Sequence, residues 1–98
     1  MKMFNLTAVL STYTGYLFGE MSEIYEIIDF MLDTSVTALG LGPCAEKLKP
    51  HLLSQFPWLA DVQGELDYLS KMGVKDRIDY LRLRYIVNYG EKVPVRSL

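Results

Sequence analysis

Apolar residues recur at helical spacing through most of this chain, and most fully in VKDRIDYLRLRYIVNY, residues 74–89. At about 100° per residue, Ile78, Leu81, Tyr85 and Tyr89 fall on one side of a helix, and Tyr80, Leu83 and Val87 fall roughly opposite. A surface helix of a small lone domain needs one apolar stripe. The second face therefore predicts contact with more of the same chain or with another molecule. Arg82 edges the first face and Arg84 lies between the two. Gly90 stands where a left-handed residue would close the helix.

The same pattern, less fully developed, runs through the earlier chain. Asn5 or Thr7 caps a short first helix carrying Val9, Leu10 and Tyr13, with Gly15 either at its end or tolerated inside it. Ser22 is a reasonable cap for a second helix whose stripe is Ile24, Ile27, Ile28 and Met31. TSVTALGLGPC reads as a connection with one helical turn or a short extended piece. In PCAEKLKPHLLSQF, Pro50 predicts a kink or a division into two short helices, with Leu48, Leu52, Leu53 and Phe56 inward. Trp58 and Leu59 form an apolar plug, and GELDYLSKMG gives a further short helix through Leu66, Leu69 and Met72. EKVPVRSL, with Pro94 between two valines, predicts an extended tail on the surface or on a neighbour. The expected fold class is all-α: one domain over residues 1–98, a compact bundle of five to six short helices with a long C-terminal helix and an extended tail.

Composition narrows the function classes. Half of the 98 residues are apolar and seven are tyrosine, which argues for a folded chain with one modest core. The net charge of −2 is unevenly laid out: residues 1–42 carry one lysine against five acids, and the remainder nine Lys/Arg against seven. A mildly acidic whole argues against general nucleic-acid affinity, which rests on a concentrated basic surface. A single cysteine excludes an internal disulfide and suits a reducing compartment. No apolar window reaches the length of a membrane span, and the polar-interrupted N-terminus does not read as a signal peptide. The expected address is the cytoplasm.

Candidate chemistry is sparse. Cys44 and His51 are seven residues apart, about 10 Å of helical rise with Pro50 between them, so they do not form a nucleophile–base pair. No metal-ligand spacing and no phosphate-binding glycine loop are present, so no catalytic, cofactor or metal residue is expected. Two surfaces remain as partner-binding candidates. Glu23, Glu26, Asp29 and Asp33 align opposite the isoleucine stripe, as a solvated face or as a negative strip for a basic partner. Tyr80, Leu83, Arg84 and Val87 lie on the final helix, where Tyr85 and Tyr89 add the residue types of binding hot spots. The bland alternative makes those tyrosines core, with hydroxyls at the rim.

In order along the chain, TGYLF, EIYEIIDFMLDTSVT, KPHLLSQFPWL and IVNYGEKVPV resemble a family of short uncharacterised proteins encoded by bacteriophages and prophages. The resemblance spans Leu6 to Val95. That family carries a His and often an Arg after the middle turn, where this chain has TALGLGPC, so no role of those residues transfers. The resemblance implies a phage origin, a bacterial cytoplasmic setting and antagonism of a host defence protein, anti-CRISPR-like, by protein–protein contact. A homodimer or higher oligomer would use the second face of the final helix. The alternatives are an oligomeric sponge for a cyclic-nucleotide signal, with Arg82 or Arg84 on phosphate, and a structural interaction protein of another target.

Overall fold

The computed structural model describes residues 1–98. The order is β1 (Lys2–Asn5), α1 (Leu6–Thr14), α2 (Met21–Leu32), a 3-10 turn (Ala38–Gly40), α3 (Leu41–Gln55), α4 (Leu59–Tyr68), α5 (Val74–Tyr89) and β2 (Lys92–Val95).

The molecule is organised around α1, the shortest helix. Leu6, Ala8, Val9, Leu10, Ser11 and Thr12 are all buried, so α1 has no solvent face over most of its length, and α2, α3, α4, α5 and β1 all pack on it. A helix that is buried all round must be wrapped by the remainder of the chain. Ile24, Ile27, Ile28 and Met31 of α2, Leu48 and Leu52 of α3, Leu59, Val62 and Leu66 of α4, and Leu81 and Tyr85 of α5 supply that wrapping. Gly15 closes α1 in the left-handed conformation (φ 83°), its N–H donating to the Ser11 carbonyl. The chain can then reverse within one turn. Inside that turn the Phe18 N–H donates to Ser11 Oγ at 2.8 Å, which satisfies a buried hydroxyl and seats Phe18 in the core.

The fold is mostly helical but is not all-α, because both chain ends are strands. Lys2 pairs with Val95, Met3 with Pro94, Phe4 with Val93 and Asn5 with Lys92, antiparallel. KVPV alternates exposed and buried, and Val93 and Val95 are 5% and 0% exposed. The expected surface tail is therefore a structural strand that seals the core beneath Phe4. Period-two alternation over four residues was the available signal, and Pro94 obscured it. A proline is tolerated on the edge of a two-stranded ribbon because the lost N–H need not enter a second ladder.

Pro50 does not divide α3, which runs unbroken from Leu41 to Gln55. Leu48 and Leu52 on either side of it are both fully buried, while Pro50 itself is exposed. Burying two leucines stabilises by about 3–6 kcal/mol, against about 3 kcal/mol for an interior proline, so packing holds the helix together. Pro50→Ala restores the missing backbone donor at an exposed site. It should raise stability by about 2 kcal/mol, after allowance for the looser unfolded chain, measured by urea denaturation. Two further boundaries move. Leu59, expected as part of a plug, opens α4, which ends at Tyr68 and leaves Leu69 and Met72 in the connection to α5. The α2 cap position is Glu20 instead of Ser22.

Candidate functional site

The outward face of α5 stays uncovered. Tyr80, Leu83 and Val87 are 49%, 66% and 74% exposed, at spacings of three and four that align them along the helix. On the inward face Leu81 and Tyr85 are buried and Ile78 is half-buried. Tyr85 and Tyr89 form an aromatic stack with Trp58. Trp58 lies 4.5 Å from Tyr89 at 14° and 5.3 Å from Tyr85 at 26°. The two tyrosine populations thus separate: Tyr85 and Tyr89 anchor α5 to the segment before α4, and Tyr80 points to solvent.

Arg84 sits at the border of that face and is not free. Its Nη1 lies 2.9 Å from Glu65 Oε2, while the Tyr85 hydroxyl donates to Glu65 Oε1 at 3.2 Å. One carboxylate on α4 therefore holds two neighbouring residues of α5. Arg82 is similarly occupied, 2.9 Å from Asp79 and donating to the Phe18 carbonyl at 3.3 Å. A phosphate reaching either guanidinium must first compete with a carboxylate of the chain itself, which weakens the case for a nucleotide sponge built on these arginines.

Burial, and after it the negative charge of Glu65, keep the Tyr85 hydroxyl protonated well above the ordinary tyrosine value of 10.0. The folded pKa is raised, so the linked stability is complete below that pH and is lost as the pH climbs through it, where the unfolded chain ionises first. Denaturation midpoints should therefore fall above about pH 10 in the wild type. They should fall less steeply in Tyr85→Phe, which keeps the ring and lacks the ionising group; parallel decline of the two proteins would contradict the assignment.

The acidic residues of α2 have tasks inside the fold. Glu23 Oε1 accepts from Asn5 Nδ2 and Oε2 accepts from Thr7 Oγ1, both at 2.7 Å, tying the first turn of α2 to the start of α1. Asn5 does occupy the α1 cap position, but its side chain serves Glu23 instead of the helix end. Gly19 passes so close to this cluster that a Cβ there would collide with Glu23 and Thr7. Asp29 Oδ1 accepts the Val36 N–H at 2.7 Å, and Asp33 terminates α2 in the left-handed conformation (φ 51°). Glu26 and the exposed carboxylate of Asp33 stay outward, and the fold brings Lys2 and Lys92 to the same shallow depression as Glu23 and Glu26. The bases that local sequence lacked arrive from the two chain ends, so the strip is not a continuous free surface.

Cys44 is half-buried and His51 exposed, two turns apart on α3. No group of three or more His, Cys, Asp or Glu side chains is placed to hold a metal ion. No helix is long and apolar enough to cross a membrane. Sequence reasoning missed the surface depressions, among them a slot of ≈ 200 Å³ between α1, α2 and the start of α3. Its lining residues come from three separate segments, and no single-segment periodicity marks them.

Against known families, a domain of unknown function (DUF7736) matches residues 4–62, from β1 into α4. No curated protein matches, and no solved structure matches.

Proposed function

Because the chain belongs to the DUF7736 family through a segment that stops short of α5, we propose a function from the chain's own geometry: it is a binding protein that acts by contact. Its docking surface is the outward face of α5, made of Tyr80, Leu83, Arg84 and Val87. Its partner is a protein of a bacterial defence system, as the likeness to phage-encoded proteins suggests.

One observation carries this reading. A sixteen-residue helix that buries Leu81 and Tyr85 leaves three large apolar side chains of its opposite face 49–74% exposed. Scattered surface hydrophobics need no explanation, whereas a row of them on one helix face marks an interaction surface. Tyr80 gives that row a residue type enriched in binding hot spots, while Arg84 at its border is held by Glu65. The acidic strip takes second place, because Glu23 and Asp29 are engaged within the fold.

The test is biological and physical together. Expressed in bacteria with an active CRISPR system, the wild-type chain should restore plating of a targeted phage, and a chain with charged residues on the α5 face should not. Failure of the wild type to restore plating in any tested system removes the defence partner. Light scattering at two concentrations separates the competing occupant: a dimer that dissociates when the α5 face is charged means that a second copy covers the face. Calorimetry with cyclic di- and trinucleotides disposes of the sponge if no heat is seen.

A further inference from the structure

We infer that the outer edge of β1 is a self-association surface: it pairs antiparallel with β1 of a second copy of this chain, joining the two ribbons into one sheet across a two-fold axis. The register of the ribbon decides which backbone groups face outward. The Leu6 N–H donates to the Glu91 carbonyl at 2.7 Å, and bonded and unbonded pairs alternate along an antiparallel ladder. Phe4 with Val93 and Lys2 with Val95 are therefore bonded pairs, while Met3 with Pro94 and Asn5 with Lys92 are not. Met3 and Asn5 thus turn their N–H groups, and Met3 its carbonyl, away from β2.

The two edges of the ribbon differ. On the β2 side, Pro94 has no N–H to offer. Arg96, the next outward position, gives both backbone groups to the Gln55 side-chain amide, its N–H at 2.8 Å and its carbonyl at 3.0 Å. Such features keep an edge from pairing with another chain. On β1 nothing covers the corresponding groups: the Met3 N–H and carbonyl have no partner in the chain, and Met1, Lys2, Met3 and Asn5 are all exposed.

Charge selects a second copy as the occupant. The Glu23 carboxylate sits 2.7 Å from Asn5 Nδ2, at one end of the edge, with Glu26 in the same depression. Lys2 lies at the other end, about 10 Å along the strand. Neither Lys2 nor Glu26 has an ion pair in its own chain, and Lys2 Nζ rests 5.2 Å from the centre of the Phe4 ring. Reversing one copy about Met3 sets Met3 against the partner's Met3 with reciprocal backbone bonds, brings each Asn5 N–H to the partner's Met1 carbonyl, and puts Lys2 opposite the partner's Phe4. Phe4 turns its ring to Phe30 of α2, 5.4 Å away, and opposed side chains share one face of a sheet. Lys2 of each copy is therefore directed to the partner's α2, beside the partner's Glu23 and the partner's Glu26. One edge carries a basic end and an acidic end, and the two-fold axis matches them twice. None of these residues lies on α5, so this surface stands apart from the α5 docking face.

Sedimentation of the untagged full chain from about 10 µM to 1 mM, with amide exchange at both limits, tests the pairing. The wild type should pass from monomer to dimer across that range, and the Met3 and Asn5 amides should exchange more slowly as the dimer forms. Lys2→Glu and Glu26→Lys should each weaken the dimer at least about tenfold. Mixed in equal amounts, these two variants should form a heterodimer as tight as the wild-type dimer, because every contact across the axis again joins opposite charges. Met3→Pro removes an outward N–H and leaves the bonds to β2, so it should abolish the dimer with circular dichroism unchanged. Aspartate at Leu83 and Val87 should leave the dimer intact. A chain that stays monomeric across the range overturns the inference, as does a dimer indifferent to both charge reversals and to their mixture. A dimer lost with the α5 aspartates and kept in Met3→Pro also overturns it, and places the second copy on α5.

Discussion

Aspartate at both Leu83 and Val87 should abolish the contact function and leave the fold standing. At 66% and 74% exposure these side chains bury little in the free protein. The expected loss of stability is that of helix propensity, about 1 kcal/mol for the pair. At an interface the same change places two carboxylates where apolar groups meet a partner, and an unpaired buried charge costs several kcal/mol. Affinity should fall at least about 100-fold, with circular dichroism and melting temperature nearly unchanged. Leu81→Ala is the control on the same helix. Leu81 is fully buried, so that change should cost about 3 kcal/mol of stability and act on binding only through unfolding. If the double aspartate variant binds and inhibits like the wild type, the α5 face is not the docking surface.

Ending the chain at Glu91 should remove most of its stability. The lost segment contains Val93 and Val95, at 5% and 0% exposure, and the whole pairing with β1. Burial of two valines accounts for about 3–5 kcal/mol, and Phe4, which faces Val93, would be opened to water as well. A domain of this size holds about 5–15 kcal/mol in all, so the truncated chain should unfold at low urea or fail to fold. A chain ending at Val95 is the discriminating comparison. It loses the pair of bonds between the Arg96 backbone and the Gln55 side-chain amide, both exposed, and the bond from the Leu98 N–H to the Met31 carbonyl, and should lose about 1–2 kcal/mol. Equal behaviour of the two truncations would mean that β2 is an appendage.

How much of this was legible in the sequence depended on the range of the interactions. The α2 stripe of Ile24, Ile27, Ile28 and Met31 and the limits of α5 follow from spacing within one helix, and the structure has both. Gly15, which spacing leaves either at the end of α1 or inside it, closes that helix in the left-handed conformation, whereas Gly90 ends α5 at positive φ with an extended ψ (φ 94°, ψ 164°) instead of the left-handed helical one. That Pro50 leaves α3 undivided is not legible locally, because its cost of about 3 kcal/mol is exceeded by the burial of Leu48 and Leu52, which the rest of the chain provides. The engagement of Glu23 was hidden for a related reason. Glu23 looks free along α2, but its partners Asn5 and Thr7 are 18 and 16 residues away.

Local chemistry along the chain was enough to determine a mainly helical fold with two apolar faces on α5, since helical periodicity and capping depend only on residues within a turn or two of one another. Tertiary structure alone decided that β1 and β2 meet, that α1 is the buried centre, that Gln55 closes the edge beyond β2 while that of β1 stays open, and that Tyr80, Leu83 and Val87 remain in water. Each of these is a relation between segments distant in sequence. Which apolar face is covered depends on how much of the rest of the chain reaches it, a quantity fixed by packing and not by spacing.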